Sequence, residues 1–261
     1  MIRLFRIIRF DHLIKNKDFR YPKYAIGEII LIMVGILLAL QVNNWNEIRK
    51  NKIREIGHLR GIKQDILLDL NDVNWNLEFH KQTVKAQKEL LSYLMGEVNA
   101  ANEMIAFENA LGTPISLSLH ESSYTNLKND NFNLISNKEL KKQISNYYDI
   151  FSRGILGLEN DMVEYQSYSV LKPYFLKYFM YVEPAEVEKF RISNKDYYST
   201  GLQLNKLIPA DRTGLINDKE FKIALAETIR FTNTKIKTYN EFINRVNELM
   251  ISIDEELKSI E

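Results

Sequence analysis

The chain lacks cysteine altogether and has only four histidines in 261 residues. Without cysteine it has no disulfide, no thiol nucleophile, no thiolate metal site and no lipid attached to cysteine. The histidines are His12, His58, His80 and His120. They form neither H-x-x-x-H nor H-E-x-x-H, so the helical signature of a zinc enzyme is missing.

The motifs of nucleotide and acyl chemistry are missing as well. The sequence has no P-loop, no G-x-G-x-x-G turn and no G-x-S-x-G elbow, which are the patterns that hold phosphates or expose a serine nucleophile. The carboxylates at 254–256 are typical of a solvated helix near the C-terminus. We therefore expect a protein that is not an enzyme, with no cofactor and no catalytic, cofactor-binding or metal-binding residues.

Charge is nearly absent from the stretch between Ala25 and Val42, where Glu28 is the one charged side chain. A membrane-spanning helix needs about 20 mostly apolar residues, and this run supplies 18. Aromatic side chains flank it where membrane-interface anchors belong: Tyr21, Tyr24 and Trp45. The pattern predicts one transmembrane helix over residues 24–45, and the alternatives are a cleaved signal peptide and the buried core helix of a soluble protein.

Positive charge is concentrated before this run. Residues 1–23 hold seven Lys/Arg and two Asp, whereas residues 43–261 hold 28 Lys/Arg and 31 Asp/Glu. The mildly acidic body lacks the cationic surplus that nucleic-acid binding requires, so no nucleic-acid partner is expected. The positive-inside rule favours a single-pass protein with its N-terminus in the cytoplasm and its large C-terminal part on the other side of the membrane.

The N-terminal tail, residues 1–23, alternates basic and apolar side chains. Arg3, Arg6 and Arg9 recur every three residues between isoleucines and a phenylalanine. A basic amphipathic helix that contacts the lipid surface has this pattern. An unstructured basic tail that only fixes the orientation of the chain is the other interpretation.

The single carboxylate of the apolar run shares a helix face with two small residues. Glu28, Gly35 and Ala39 are seven and four positions apart, and a small-xxx-small pair allows close approach of another helix. One interpretation is that this face packs against a second copy or another membrane protein. The other is that Glu28 reaches the lipid head groups, where a charge costs less than at mid-depth.

The rest of the chain, residues 46–261, has a helical pattern. From Leu59 to Leu94, eleven positions follow alternating steps of three and four, with His80 among them, and no proline occurs from Lys23 to Thr113. This 3.5-residue period is typical of a coiled-coil seam. We therefore predict one helix from the membrane to about residue 95, in which His80 is a core residue.

Two further long helices and one or two short ones are predicted. A short helix lies near residues 101–112, and the capping-box spacing of Ser136 and Glu139 predicts a long helix that starts near Asn137 and reaches Tyr181. Residues 183–216 are expected to form a connection, and the last helix runs from about 217 to 260. The predicted fold is all-α: a single transmembrane helix followed by an elongated helical bundle of three long helices plus short ones.

Two blocks of the sequence resemble a family of uncharacterised single-span membrane proteins, typically of gram-negative bacteria, classed as a domain of unknown function. The first block is YAIGEI at 24–29, GI at 35–36, ALQ at 39–41 and NNWNE at 43–47. The second comprises Tyr124, Leu127, Leu134, Ile135, Leu140, Ile144, Tyr147 and Tyr148. The family often has Ser-Gly where this chain has Asn129-Asp130, so a different turn is expected there. The resemblance implies an inner-membrane, single-pass architecture and no activity.

Two functions are compatible with this pattern. The first is a membrane-anchored, non-enzymatic interaction or scaffold module that oligomerises or pairs with another membrane protein. The alternative is an extracytoplasmic small-ligand sensor, in which the tyrosines at 147–148, 165–181 and 197–198 line a cleft rather than the core. A 23-residue tail is too short for an output domain, so such a sensor would signal through a partner.

Overall fold

The structure is a computed structural model, and it describes residues 21–97, 107, 109–112, 115, 117–182 and 206–260. The side chains of residues 21–24 and 206 lie outside this description. Most of the described chain is helical, as the sequence predicts. The predicted basic tail falls outside the described residues, apart from the backbone of residues 21–23.

Two of the helices are much longer than the others. The α-helices are α1 (Tyr21–Leu94), α2 (Ser122–Asn131), α3 (Lys138–Asn146), α4 (Arg153–Asn160), α5 (Ser167–Tyr178), α6 (Arg212–Asn217) and α7 (Lys219–Ile260). Short 3₁₀ turns cover Phe132–Leu134 and Val163–Tyr165, and a π-helical turn covers Tyr147–Ser152. The strands are β1 (Phe179–Val182) and β2 (Lys206–Pro209).

The chain divides into two compact units, Met1–Glu55 and Ile56–Glu261. In the first unit, the large apolar side chains from Ile26 to Val42 are all exposed. α1 is long and apolar enough to span a membrane, and a signal sequence or a soluble core helix meets the same criterion of length and composition.

The second unit is built on the periodic stripes of α1 and α7. The α1 positions predicted to face the core do so: Leu59, Ile62, Ile66, Val73 and others of the set are buried, while Leu70 and Leu91 are half-buried. The predicted last helix is also confirmed, since α7 begins at Lys219 and ends at Ile260. Steps of three and four place the same face inward because an α-helix has 3.6 residues per turn.

The predicted long helix from 137 to 181 is wrong in its second half. α3, the π turn and α4 follow one another without a break, but the helix ends at Asn160 and α5 begins only at Ser167. The side-chain amide of Gln166 donates to the carbonyls of Glu159 and Asn160 at 3.4 and 3.2 Å. These carbonyls lie in the last turn of α4, where helical donors are missing, so Gln166 stabilises the break. Pro173 lies inside α5 without ending it.

The start of α3 is predicted correctly, but its cap is a different residue. Asn137 accepts hydrogen bonds from the backbone N–H groups of Glu139 and Leu140, both at 3.1 Å. An asparagine at this position satisfies donors that have no helical acceptor. The cap is therefore Asn137 rather than Ser136.

The one two-stranded sheet among the described residues departs from the all-α prediction. β1 and β2 are antiparallel, with Phe179 opposite Pro209 and Leu207 opposite Tyr181. Phe179 and Leu207 are buried, whereas Tyr181 is exposed. A four-residue strand is too short to give a clear alternation, and its partner lies more than 20 residues further along the chain.

Candidate functional site

Polar side chains interrupt the buried stripes of both long helices at the same level. On α1 the stripe passes through His80, Thr83 and Gln87, and on α7 it passes through Thr228, Thr232 and Lys235. Apolar clusters lie on either side, one containing Leu77 and Tyr239 and the other Ala86 and Leu225. These six residues together with Glu159 of α4 are called the polar layer.

Glu159 is the centre of the polar layer. Its Oε1 accepts a hydrogen bond from His80 Nε2 at 3.0 Å and another from the Tyr239 hydroxyl at 2.7 Å. Its Oε2 lies 3.0 Å from the Lys235 ammonium. Glutamate is rarely buried unless it is paired, and here three donors from two helices hold the carboxylate.

The same contacts set the charge of each group. Burial by itself would raise the pKa of Glu159, but the His80 hydrogen bond, the Lys235 charge and the Tyr239 hydroxyl together lower it to about 2. Burial lowers the pKa of His80, against the pull of Glu159, and it lowers the pKa of Lys235. His80 is therefore neutral near pH 7 with its proton on Nε2, and the Lys235–Glu159 pair carries no net charge.

Hydrogen bonds continue from this cluster to the N-terminus of α5. Thr232 Oγ1 lies 3.2 Å from Ser167 Oγ and 3.4 Å from Gln87 Oε1. The Gln87 amide donates to the carbonyl of Ala110 at 3.1 Å. The polar layer therefore connects α1, α7, the first turn of α5 and the segment at 109–112.

A cavity of about 220 Å³ opens onto the polar layer. The lining residues come from α1, the end of α4, the start of α5, α7 and the segments between them: Phe79, His80, Thr83, Gly112, Ile115, Glu159, Asn160, Tyr165, Gln166, Ser167, Tyr168, Ser169 and Lys235. Protein interiors have few voids larger than one water molecule. A cavity of this size is large enough for several waters or for one small organic molecule.

Gly112 forms part of the cavity wall and has an unusual backbone conformation. Its φ is +75°, in the left-handed region where a side chain is strained. It follows helical residues 109–111, at the position where a helix commonly ends with such a glycine. The sequence predicts a helix end at Gly112, and this is confirmed.

A second polar cluster lies on another part of α1. Asp65 accepts a hydrogen bond from the backbone N–H of Ser123 at 2.8 Å, and Asp72 accepts one from Ser118 at 2.7 Å. Between them in the sequence, Asp69 accepts three hydrogen bonds. The three aspartates are spaced at helical intervals, so they face the connection at 117–123 and satisfy its backbone donors.

Asp69 is the buried centre of this second cluster. It accepts hydrogen bonds from the backbone N–H of His120 at 2.7 Å, from His120 Nδ1 at 2.8 Å and from the Tyr147 hydroxyl at 2.5 Å. Burial raises the pKa of Asp69, although these hydrogen bonds oppose the rise, and burial beside Asp69 raises the pKa of Tyr147. The arrangement fixes the connecting segment at 117–123 against α1.

The described residues that the sequence proposes for contacts of the membrane helix are exposed. Glu28, Gly35 and Ala39 lie on α1 and are exposed, as is Trp45. The side chains of Tyr21 and Tyr24, and the whole of Arg3, Arg6 and Arg9, lie outside the described residues. Their membrane roles remain predictions.

Sequence reasoning found His80 as a core residue but missed its partners. No sequence motif distinguishes Glu159 or Lys235 from ordinary charged residues, which are usually solvated, yet both are buried here. The signal for Lys235 was its spacing, since it occupies an inward position in the buried stripe of α7. In the described part of the chain, no three His, Asp or Glu side chains are grouped as metal ligands.

A comparison with known families agrees with part of the resemblance noted above. Residues 28–155 match a family of unknown function, DUF6090. The match includes His80 and the block from Tyr124 to Tyr148, whose family-like residues are buried in one apolar cluster. No curated protein and no solved structure matches the chain.

At Asn129-Asp130, where a turn different from that of the family was expected, this chain is helical. Both residues lie inside α2, and Asp130 Oδ2 lies 3.0 Å from His58 Nε2. A helix can include Asn-Asp here because α2 is anchored by the buried side chains of Tyr124 and Leu127. Tertiary packing thus overrides the low helix propensity of Asn and Asp.

Proposed function

We propose that the chain is a membrane-anchored, non-enzymatic helical module of the inner membrane. Residues 24–45 span the bilayer, and the second unit is a helical bundle in the periplasm that binds another copy or another membrane protein. One observation supports the anchor above others. Large apolar side chains from Ile26 to Val42 surround α1 and are 45–64 % exposed, so water would contact all of them without a lipid environment.

The orientation is tested by labelling single cysteines, since the chain has none of its own. Asn16→Cys and Lys258→Cys are expressed separately in a gram-negative host whose outer membrane is then permeabilised. A membrane-impermeant thiol reagent is expected to label only the Lys258 variant before lysis and both variants afterwards. Labelling of only the Asn16 variant before lysis would place the bundle in the cytoplasm and contradict the periplasmic assignment.

Pairing through the membrane helix is tested by the oligomeric state in mild detergent. Gly35→Leu adds bulk to the face shared with Glu28 and Ala39, and we expect it to reduce self-association or partner capture. Leu37→Phe adds bulk about 200° round the helix and is the matched control. A wild-type chain that stays monomeric and captures no membrane protein would contradict the interaction module.

The second candidate is a small-ligand sensor that signals through a partner. The 220 Å³ cavity beside the polar layer supports it, because ligand sites are concave, contain apolar side chains and carry a few fixed polar groups. A broad metabolite library that never changes the melting temperature of the full-length protein would count against it.

A further inference from the structure

The cavity beside the polar layer is lined by hydrogen-bond donors, and these favour one class of ligand. Its buried wall includes Lys235, whose side chain is 4 % exposed. An ammonium group has three N–H donors. Within the described part of the chain, a single acceptor, Glu159 Oε2, is bonded to it. A ligand with an acceptor atom would therefore satisfy donors that the protein leaves available.

The first turn of α5 forms another part of the cavity wall. Ser167, Tyr168 and Ser169 line the cavity, and their backbone N–H groups precede the first helical hydrogen bond, which runs from Val170 to Gln166. The cap residue Gln166 makes no side-chain cap bond, and the first turn has no acidic side chain. The positive end of the helix dipole therefore faces the cavity without a compensating carboxylate from its own turn.

These two walls are close together. Ser167 Oγ lies 3.2 Å from Thr232 Oγ1, and Thr232 precedes Lys235 by one turn of α7. A ligand in the cavity can therefore contact both the α5 N-terminus and the Lys235 ammonium. Both parts of the wall carry N–H donors, and donors favour a ligand that has acceptor atoms.

The charges of the cluster allow a ligand at most one negative charge, which the α5 N-terminus and the remaining Lys235 donors would stabilise. Both oxygens of Glu159 are occupied by the His80, Lys235 and Tyr239 donors, so Glu159 offers little to a cation. Lys235 is already neutralised by Glu159, and no second cationic side chain lines the cavity within the described residues. A dianion such as phosphate would lack the additional cation that its burial requires.

The remaining lining combines carbon surface with the polar side chains of Thr83, Asn160 and Gln166. Phe79, Ile115 and Tyr165 contribute carbon surface to the same cavity. Such surface favours a molecule with a hydrophobic body rather than a small hydrated inorganic anion. We propose that the cavity binds a small organic monocarboxylate, with its carboxylate between the α5 N-terminus and Lys235 and its apolar body against Phe79, Ile115 and Tyr165.

This assignment rests on the ligand-binding candidate above and is independent of the anchor and the pairing proposal. The test uses the full-length protein in mild detergent and four probes: acetate, butyrate, benzoate and phenylacetate. Each is compared with its own amide, which has nearly the same shape and no charge. We expect at least one acid to raise the melting temperature and to bind about tenfold or more tightly than its amide.

A variant at the edge of the cavity tests the position of the carboxylate. Ser169 is exposed, so Ser169→Asp adds a negative charge to the first turn of α5 without disturbing the core. An acidic side chain near the start of a helix stabilises the helix. The same negative charge should weaken binding of the carboxylic acid ligand by about tenfold. Ser169→Asn is the matched uncharged control and should retain binding. Lys235→Met should also abolish the preference for acid over amide, provided its circular dichroism matches that of the wild type.

Three outcomes would overturn the assignment. They are no binding by any of the four acids, equal binding of acids and amides, and acid binding unchanged by Ser169→Asp. If the first of these outcomes is accompanied by a melting-temperature rise with neutral or cationic metabolites, the carboxylate assignment is wrong but the sensor candidate stays in place. None of these outcomes bears on membrane orientation or on pairing, which are measured separately.

Discussion

The Nζ of Lys235 lies 3.0 Å from Oε2 of Glu159, and both side chains are less than 5 % exposed. The two residues come from different helices and are 76 positions apart in the sequence. A buried pair of opposite charges adds little stability compared with apolar residues of similar volume. Removal of one charge, however, leaves the other buried without a partner, which is strongly destabilising. This dependence leads to the first prediction.

Glu159→Ala should lower the free energy of unfolding by about 3–5 kcal/mol, because it leaves Lys235 charged and buried without its partner. Lys235→Met added to Glu159→Ala should recover part of this loss, because the unpaired charge is then gone. Urea unfolding of the full-length protein, followed by circular dichroism, measures both. Glu227→Gln is the control, since Glu227 pairs with Arg230 on the surface and its loss should change little. Equal losses in the single and double variants would contradict the argument.

Stability should decrease as the pH falls below about 6.5, the usual pKa of histidine. The pKa of His80 is lowered in the folded protein, so the unfolded chain binds more protons between that lowered value and 6.5. Stability linked to His80 is therefore present above 6.5 and is lost below it, by at most about 1.4 kcal/mol per pH unit. His80→Gln should flatten the decrease, measured by urea unfolding at a series of pH values. Wild type and variant should have the same slope above pH 7.5, and parallel slopes throughout would contradict the prediction.

A second loss of stability should occur at lower pH because of Glu159. Its pKa is about 2 in the folded protein, against 4.5 for an unperturbed glutamate. The stabilisation is present above 4.5 and is lost as the pH falls from 4.5 towards 2. Asp69 acts in the opposite direction, because its raised pKa favours proton uptake by the folded state. A Glu159→Gln variant, compared with Asp69→Asn, should separate the two contributions in acid unfolding, and unchanged profiles in both would be inconsistent with them.

Asp69→Ala should destabilise the protein by about 3 kcal/mol, because it removes a fully buried acceptor of three hydrogen bonds and leaves the Tyr147 hydroxyl unpaired. Asp72→Ala is the matched comparison. Asp72 is only half-buried and holds the exposed N–H of Ser118, so its loss should cost about 1 kcal/mol. Equal effects in urea unfolding would show that burial of the acceptor is not decisive.

Two glycine-to-alanine substitutions should change the stability of the protein in opposite directions. Gly112→Ala places a side chain at a φ of +75° and should cost about 1–2 kcal/mol. The added methyl group would lie 3.5 Å from Thr83 Cγ2 and Ser167 Cβ, which is ordinary contact, so strain of the backbone dominates. Gly154→Ala lies in the exposed part of α4 with open space around it and should stabilise by about 0.5–1 kcal/mol. Melting temperatures of the two variants test the difference in sign.

Long periodic segments were predicted accurately. The seam of α1 and the bounds of α7 depend on many repeated inward positions, so a single exception does not obscure them. The break at residues 161–166 was missed because it depends on one amide, that of Gln166, and on packing of α5 against α7. The hairpin was missed because its strands have four residues each and pair across a long connection.

The sequence by itself determined which faces of α1 and α7 are buried, where Gly112 ends a helix, and that residues 25–42 form one long apolar run. These are local properties, read from spacing, backbone freedom and composition. Only the tertiary structure decided that Glu159 meets Lys235 and His80, and that a cavity opens beside them. A buried charge requires a group that pairs with it. For Lys235 that group lies on another helix, and local sequence patterns do not predict which distant residues come into contact.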